Sequence, residues 1–206
     1  MQRDYWNKNA LTMNFTTSLD VGQFQSMVSK DALVLDVGCG YGRTLADLYG
    51  IGYKRLIGVD TSGEMVKRGK SAYPYIDMRF QKGTVIDLPE NYVDAVVLFG
   101  VLCCTPESND IKALIGEIER VLKPGGCLFV NDFLIGKDLR NSLRYRKFVE
   151  KYNHYGTFET DDGLLLRHFS EHELLGNFDI VSAVKQKCRE MNGGVNISVS
   201  IAAKLR

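Results

Sequence analysis

The stretch Leu35-Asp36-Val37-Gly38-Cys39-Gly40-Tyr41-Gly42-Arg43 decides the fold of this chain. It completes the apolar run 32–37, and its three alternating glycines interrupt that run before an amphipathic stretch begins. Glycine permits a tight turn, and a helix that starts behind such a turn offers unpaired N–H groups. The pattern predicts a buried strand that passes through a glycine loop into a helix, where open α/β folds bind their ligands.

Four further apolar runs follow, and amphipathic helical stretches separate them. The runs cover residues 55–60, 75–80, 93–101 and 126–131. The clearest helix is predicted over 110–122, because its apolar residues fall on one stripe and Lys123-Pro124-Gly125-Gly126 cannot continue it. Short apolar strands that alternate with helices are typical of a parallel sheet covered on both faces.

The pattern changes beyond Asp132. Residues 133–168 are polar and aromatic, and they predict one helix over 138–152 and no buried strand. Two more strands are predicted near 178–184 and 195–203, joined by an antiparallel hairpin through Asn192-Gly193-Gly194. The predicted fold class is α/β: a doubly wound, mostly parallel seven-stranded sheet with an antiparallel last strand, helices on both faces and a small lid inserted after strand five.

Composition and charge narrow the classes of function. A chain of 206 residues suits one domain, and 26 Lys and Arg against 25 Asp and Glu give a net charge of +1. Near neutrality argues against a nucleic-acid protein that works through bulk positive charge. The five cysteines form no C-x-x-C pair, so we expect no metal site. The polar N-terminus and the lack of a membrane-length apolar run lead us to expect a cytoplasmic protein with no membrane partner.

The residues around the glycine loop restrict the ligand. Arg43 stands where a dinucleotide fingerprint has its third glycine, and no Gly-Lys-Ser/Thr follows as in a phosphate-binding P-loop. Asp36 precedes the loop, where a carboxylate would repel a phosphate but could hold an amine. Asp60 ends the second run about 20 residues after Gly38, a position that suits a carboxylate that accepts both hydroxyls of a ribose. The ligand should have a ribose and a positive end, and no phosphate.

S-adenosylmethionine meets these conditions, and the sequence resembles the class I S-adenosylmethionine-dependent methyltransferases over about residues 30–132. The motifs that carry the resemblance are Asp36-Val37-Gly38-Cys39-Gly40-Tyr41-Gly42, Gly58-Val59-Asp60-Thr61-Ser62, Val93-Asp94-Ala95-Val96-Val97 and Arg120-Val121-Leu122-Lys123-Pro124-Gly125-Gly126. The family would make 1–206 a single domain, with an N-terminal helical cover (1–29), a cofactor-binding core (30–132), a lid or substrate insertion (133–168) and a C-terminal helix and strand pair (169–206).

The resemblance implies S-adenosyl-L-methionine as cofactor, S-adenosyl-L-homocysteine as product and a set of cofactor-binding residues. These are Asp36, Gly38, Cys39, Gly40, Gly42, Asp60, Thr61, Met65, Thr84, Val85, Phe99 and Gly100. Thr84 stands where family members often carry an acid that pairs with the adenine amino group. Adenine recognition then depends on the Thr84 hydroxyl, on the backbone or on Asp87.

The methyl acceptor is not named by these motifs, because a base is needed only when the acceptor holds its proton at neutral pH. Candidates lie beyond strand five. His168 and Asp132 are the candidate catalytic residues, and Arg140, Arg144, Tyr145, Tyr155, Arg167 and the N-terminal Trp6 are the candidate substrate-binding residues. Each has a structural alternative: the arginines could be solvated or paired with acids, His168 could bond a backbone group, and Trp6 could hold the N-terminus to the surface.

The sequence therefore predicts a methyltransferase that acts on a small-molecule acceptor by in-line displacement, as a monomer or homodimer, with no nucleic-acid partner. Two alternatives stay open. One is a protein or nucleic-acid methyltransferase, which would need an extended basic or peptide-binding surface. The other is a module that binds S-adenosylmethionine without turnover, which Asp36 and Asp60 cannot distinguish from an enzyme.

Overall fold

The computed structural model describes residues 2–174, 179–189 and 195–204. Its main sheet consists of β1 (Leu33–Val37), β2 (Arg55–Asp60), β3 (Asp77–Phe80), β4 (Val93–Phe99), β5 (Leu122–Phe133), β8 (Asp179–Arg189) and β9 (Val195–Lys204). The helices are α1 (Gln2–Asn9), α2 (Val21–Met27), α3 (Arg43–Gly50), α4 (Gly63–Ala72), α5 (Ser108–Val121), α6 (Leu139–Tyr152) and α7 (Glu171–Leu174), with a 3-10 turn, η1, at Leu102–Cys104. A separate hairpin pairs β6 (Thr157–Glu159) with β7 (Leu165–Arg167).

The seven strands of the main sheet lie in the order β3-β2-β1-β4-β5-β9-β8. Strands β1 to β5 are parallel, and β9 runs antiparallel between β5 and β8. The predicted fold class is confirmed, including the antiparallel last strand. This order brings the ends of β1, β2 and β4 together at one edge of the sheet.

Both faces of the sheet are covered, which explains why its strands read as continuous apolar runs. Successive side chains of a strand point to opposite faces. In β1, Leu35 packs in the cluster that includes Ile118 of α5, whereas Val34 packs in the cluster that includes Phe24 of α2 and Leu45 of α3. Side chains on both faces of the strand are therefore buried, as in parallel sheets generally.

The two helices predicted over 110–122 and 138–152 correspond to α5 and α6, within two residues at each end. The expectation that residues 133–168 hold no buried strand was wrong, because β6 and β7 form there and Phe158 is buried. The predicted turn at 192–194 lies outside the described residues. No helix in the described part of the chain is long and apolar enough to cross a membrane.

Candidate functional site

The loop between β1 and α3 requires glycine for two reasons. Gly38 and Gly40 have φ values of +69° and +55°, in the left-handed region that favours glycine. A Cβ at Gly38 would also collide with a methyl group of Val101, and one at Gly40 with the ring of Phe15. The backbone of the loop therefore lies directly against Val101, in the turn after β4, and against Phe15, in the N-terminal segment. Gly42, with φ +85°, precedes the first residue of α3.

Asp60 ties this loop to the start of α4. One carboxylate oxygen accepts a hydrogen bond from the Gly40 N–H at 2.7 Å, and the other accepts one from the Ser62 N–H at 2.7 Å. Burial raises the pKa of Asp60, and the two N–H donors oppose that rise. Ser62 in turn caps α4 by accepting from the Met65 N–H. The carboxylate thus stands at the end of β2 with its orientation fixed by backbone.

Asp36 is the buried carboxyl of the site. Its side chain is 3% exposed, and no residue in the described ranges donates a hydrogen bond to it. Burial, and then the negative charge of Asp60, raise its pKa to about 8, while the Arg43 guanidinium opposes the rise. A cationic ligand beside this buried carboxyl would lower its pKa and stabilise the ionised form, so the site favours a cation over an anion.

The other residues implied in cofactor binding differ in burial and contacts. Met65 is buried on α4 and packs with Tyr41 and Trp6, and Cys39 is buried against Gly58, whose missing Cβ leaves room for the sulfur. Among the rest, Thr61, Thr84, Phe99 and Gly100 are half-buried, and Val85 is exposed.

Sequence reasoning missed several residues that shape the site. Phe15 contacts Gly40 and stacks on Tyr41 with the ring centroids 5.5 Å apart, and Val101 contacts Gly38. Ser62, a serine before a helical stretch, carried a recognisable N-cap signal. Nothing in the local pattern marked Phe15, which lies between α1 and α2 without regular structure.

Helix α1 forms hydrogen bonds to two separate parts of the chain, the start of α4 and the β6–β7 hairpin. On the α4 side, the Asn7 side-chain oxygen accepts from the Ser62 hydroxyl at 2.8 Å. On the other side, the Tyr5 hydroxyl donates to Asp162 at 2.5 Å, in the loop between β6 and β7. Gln2 also bonds the backbone of β7 at Leu165. The helix therefore connects the start of α4 to the inserted hairpin.

Asp132 lies at the carboxyl end of β5, where a catalytic role was predicted. Both of its oxygens accept from the Cys103 N–H at 3.2 Å, and one also accepts from the Phe133 N–H at 2.9 Å. Burial raises its pKa to about 6 against these hydrogen bonds. The carboxylate is directed at the backbone of η1, so its observed contacts orient that turn beside the end of β4.

His168, the predicted general base, is 1% exposed among aromatic rings. Its ring stacks on Phe133 and meets Phe158 edge to face, and its Nδ1 lies 2.7 Å from the Tyr145 hydroxyl. Burial, together with the positive charges of Arg144 and Arg140, lowers its pKa to about 3. Such an imidazole is neutral at pH 7 and is a weak base, so this environment argues for positioning rather than proton abstraction.

The candidate substrate residues separate into two groups. Arg140 and Arg144 lie on α6 as predicted: Arg140 reaches Asn196 of β9, and the Arg144 guanidinium covers the Phe158 ring at 3.8 Å. Tyr145 is buried, and Tyr155 packs edge to face against it.

Arg167 belongs to a different contact. Its guanidinium donates to the Pro106 carbonyl and to the Ser108 hydroxyl, and it pairs with Glu173 at 3.0 Å. It therefore joins β7 to the start of α5 and has partners within the chain. In the described ranges, no three His, Cys, Asp or Glu side chains converge as a metal site would require.

Comparison with known proteins agrees with this geometry. Residues 35–130 match a family model described as a methyltransferase domain. A 98-residue segment is 36% identical to a probable S-adenosylmethionine-dependent methyltransferase of Mycolicibacterium smegmatis, covering 48% of this chain and 37% of that relative. A 111-residue segment is 32% identical to the demethylmenaquinone methyltransferase of Chlamydia caviae, covering 52% and 46%. The matches span less than half the length of these curated relatives.

The fold is also found in a solved structure described as a SAM-dependent methyltransferase from Methanosarcina mazei. The two structures superpose with a TM-score of 0.86 over 92% of this chain and 99% of that one. Their sequences are 21% identical, so this likeness establishes the fold.

Proposed function

We propose that this protein is a class I S-adenosylmethionine-dependent methyltransferase that transfers a methyl group from S-adenosylmethionine to a small-molecule acceptor, because residues 35–130 match a methyltransferase domain and a segment resembles a probable S-adenosylmethionine-dependent methyltransferase. The observation that carries the proposal is the pair of carboxyls beside a glycine loop. Asp36 is buried without a donor, and Asp60 is fixed by the backbone at the end of β2. That pair fits a cationic nucleoside and disfavours a pyrophosphate.

Each part of this edge has a separate task in holding the cofactor. Asp36 would face its positive end, Asp60 would accept the ribose hydroxyls, and the loop of Gly38, Gly40 and Gly42 would let the ligand approach the backbone. Thr61, Met65, Thr84 and Val85 would lie at the adenine, and Cys39, Phe99 and Gly100 at the methionine end.

Bound S-adenosylmethionine supplies a methyl group that is already activated on a sulfonium. The chain therefore has mainly to align the acceptor and to exclude water. Asp132 holds η1 at the end of β4, and the hydrogen bond of Tyr145 to His168 fixes α6 over the end of β5. Asp132 and His168 are positioning residues in this proposal. An acceptor that has to lose a proton would need a base from another part of the site.

The cover supports a small acceptor. Helix α1 is bonded through Asn7 to Ser62, at the start of α4, and through Tyr5 to Asp162 in the β6–β7 loop. This connection across the edge of the sheet favours a small acceptor over a macromolecular segment. The relative from Chlamydia caviae is named for demethylmenaquinone, which is a small molecule. Arg140, Arg144 and Tyr155 would contact the acceptor from α6 and the loop behind it, whereas Tyr145, which is buried and bonded to His168, would position them.

Methyl-labelled S-adenosylmethionine tests the proposal. The protein is incubated with a cell extract that has been divided by ultrafiltration into small molecules and macromolecules, and Asp60→Ala serves as the inactive control. We expect label in the small-molecule fraction with the wild type alone. Label retained only on macromolecules would instead support a protein or nucleic-acid methyltransferase, and binding without label transfer to either fraction would support a non-catalytic module.

A further inference from the structure

The outward face of α6 carries two strongly exposed leucines. Leu139 is 75% exposed and Leu143 is 56% exposed. They are four residues apart on a helix, so their side chains are neighbours on one face. Single exposed apolar residues are ordinary on protein surfaces, whereas two adjacent ones form a small apolar patch.

The helix that carries this patch is rich in basic residues. Residues 137–151 contain six basic residues against the acids Asp138 and Glu150, a net charge of +4, whereas the whole chain carries +1 and its remainder −3. The six are Lys137, Arg140, Arg144, Arg146, Lys147 and Lys151. At 100° per residue, Arg146 and Lys147 lie on either side of Leu143, and both are exposed. Glu150 is exposed on the same side of the helix and Lys151 pairs with Glu159, so Arg146 and Lys147 supply the positive charge beside the leucines.

The inward face of the same helix is held firmly. Tyr145 and Asn141 are buried, the Tyr145 hydroxyl bonds His168, and the Asn141 amide donates to Asn196 of β9 at 2.8 Å. These contacts fix the rotation of α6 about its axis. The leucines consequently face outward with Arg146 and Lys147, whereas Arg140 reaches Asn196 and Arg144 covers the Phe158 ring.

We propose that this surface of α6 docks on an anionic phospholipid bilayer. Arg146 and Lys147 would pair with the lipid phosphates, while Leu139 and Leu143 enter the interface below the headgroups. A nucleic acid would match the positive charge but would leave both leucines in water, so the observations favour lipid. Docking requires no spanning segment, and it revises the expectation of no membrane partner. It also goes beyond the proposed methyl transfer, since an amphiphilic acceptor could then reach α6 without leaving the bilayer.

Vesicle flotation of the full chain tests the proposal. We expect binding to vesicles of phosphatidylcholine with phosphatidylglycerol, little binding to phosphatidylcholine alone, and release by high salt, which screens the charges. Leu139→Ser with Leu143→Ser should lower the partition coefficient about tenfold or more, because the apolar insertion is lost. Leu11→Ser is the matched control, since Leu11 is 82% exposed outside this surface, and it should bind as the wild type does.

A second variant keeps the test decisive if the leucine variant does not fold. Arg146→Gln with Lys147→Gln removes two exposed charges and should also reduce binding to anionic vesicles about tenfold. Equal binding by wild type and both variants, equal binding to neutral and anionic vesicles, or retention on duplex DNA without vesicle binding would each overturn the proposal. Flotation uses no methyl donor, so its result is independent of whether the protein methylates a small molecule.

Discussion

Asp36→Asn should change the stability of the unliganded protein in a direction that depends on pH. Burial raises the pKa of this carboxyl from 3.8 to about 8. Because the folded state holds the proton more tightly than the unfolded state, the carboxyl's contribution to the free energy of unfolding is greatest below pH 3.8. It falls as the pH rises from 3.8 to about 8, and it is constant above that.

The size of the effect follows from the shift. At pH 7 the carboxyl contributes about 4 kcal/mol less to the free energy of unfolding than at acid pH, because each pH unit above 3.8 removes about 1.36 kcal/mol. Asparagine does not titrate, but a buried amide without partners costs about 1–3 kcal/mol. The Asp36→Asn variant should therefore be less stable than the wild type near pH 4 and more stable by about 1–3 kcal/mol at pH 7.

Urea unfolding at pH 4, 7 and 9 measures this difference in the free energy of unfolding. The matched control is Asp161→Asn, which replaces an exposed carboxylate in the β6–β7 loop. The control should keep the pH profile of the wild type. A stability difference for Asp36→Asn that does not change sign or size with pH would refute the reasoning. The same variant should bind S-adenosylmethionine at least about tenfold more weakly, because the cationic end loses its carboxylate.

Three further substitutions test other parts of the site. Asp60→Ala should weaken binding of S-adenosylhomocysteine at least about tenfold by calorimetry, since it removes the ribose acceptor and two loop hydrogen bonds; unchanged affinity would contradict the assignment. Gly40→Ala should lower the free energy of unfolding by about 2–4 kcal/mol, because the new Cβ adds backbone strain and collides with Phe15. Gly125→Ala, where φ is also positive but the space is open, should lower it by about 1–2 kcal/mol. Equal losses in urea unfolding would exclude the collision. His168→Gln should lower stability by about 1–3 kcal/mol with less than about tenfold loss of kcat, and a loss of 10²–10⁴-fold at unchanged stability would restore its role as base.

The sheet could be predicted from the sequence because its strands are buried on both faces. Leu33–Val37 is a short apolar run followed by Gly38, and Arg55–Asp60 is one that ends in aspartate; this pattern has few other structural interpretations. The hairpin of Thr157–Glu159 and Leu165–Arg167 could not be predicted in the same way. Strands of three residues are too short to establish a period.

The candidate site could be predicted only where local sequence positions the residue. Asp36 and Asp60 follow from strand ends, and the structure places both at one edge of the sheet. The burial of His168 could not be predicted, because its aromatic neighbours Phe133, Tyr145 and Phe158 come from three separate elements. Residue type gives the chemistry available to a side chain, whereas the face on which it lies is decided by tertiary packing.

Calorimetric titration of the full chain with S-adenosylhomocysteine, and separately with NAD⁺, tests the central claim most directly. The carboxyls of Asp36 and Asp60 around the glycine loop predict saturable binding of the sulfur nucleoside and no heat from the dinucleotide. Saturable binding of the dinucleotide, with the sulfur nucleoside giving no heat, would contradict the account.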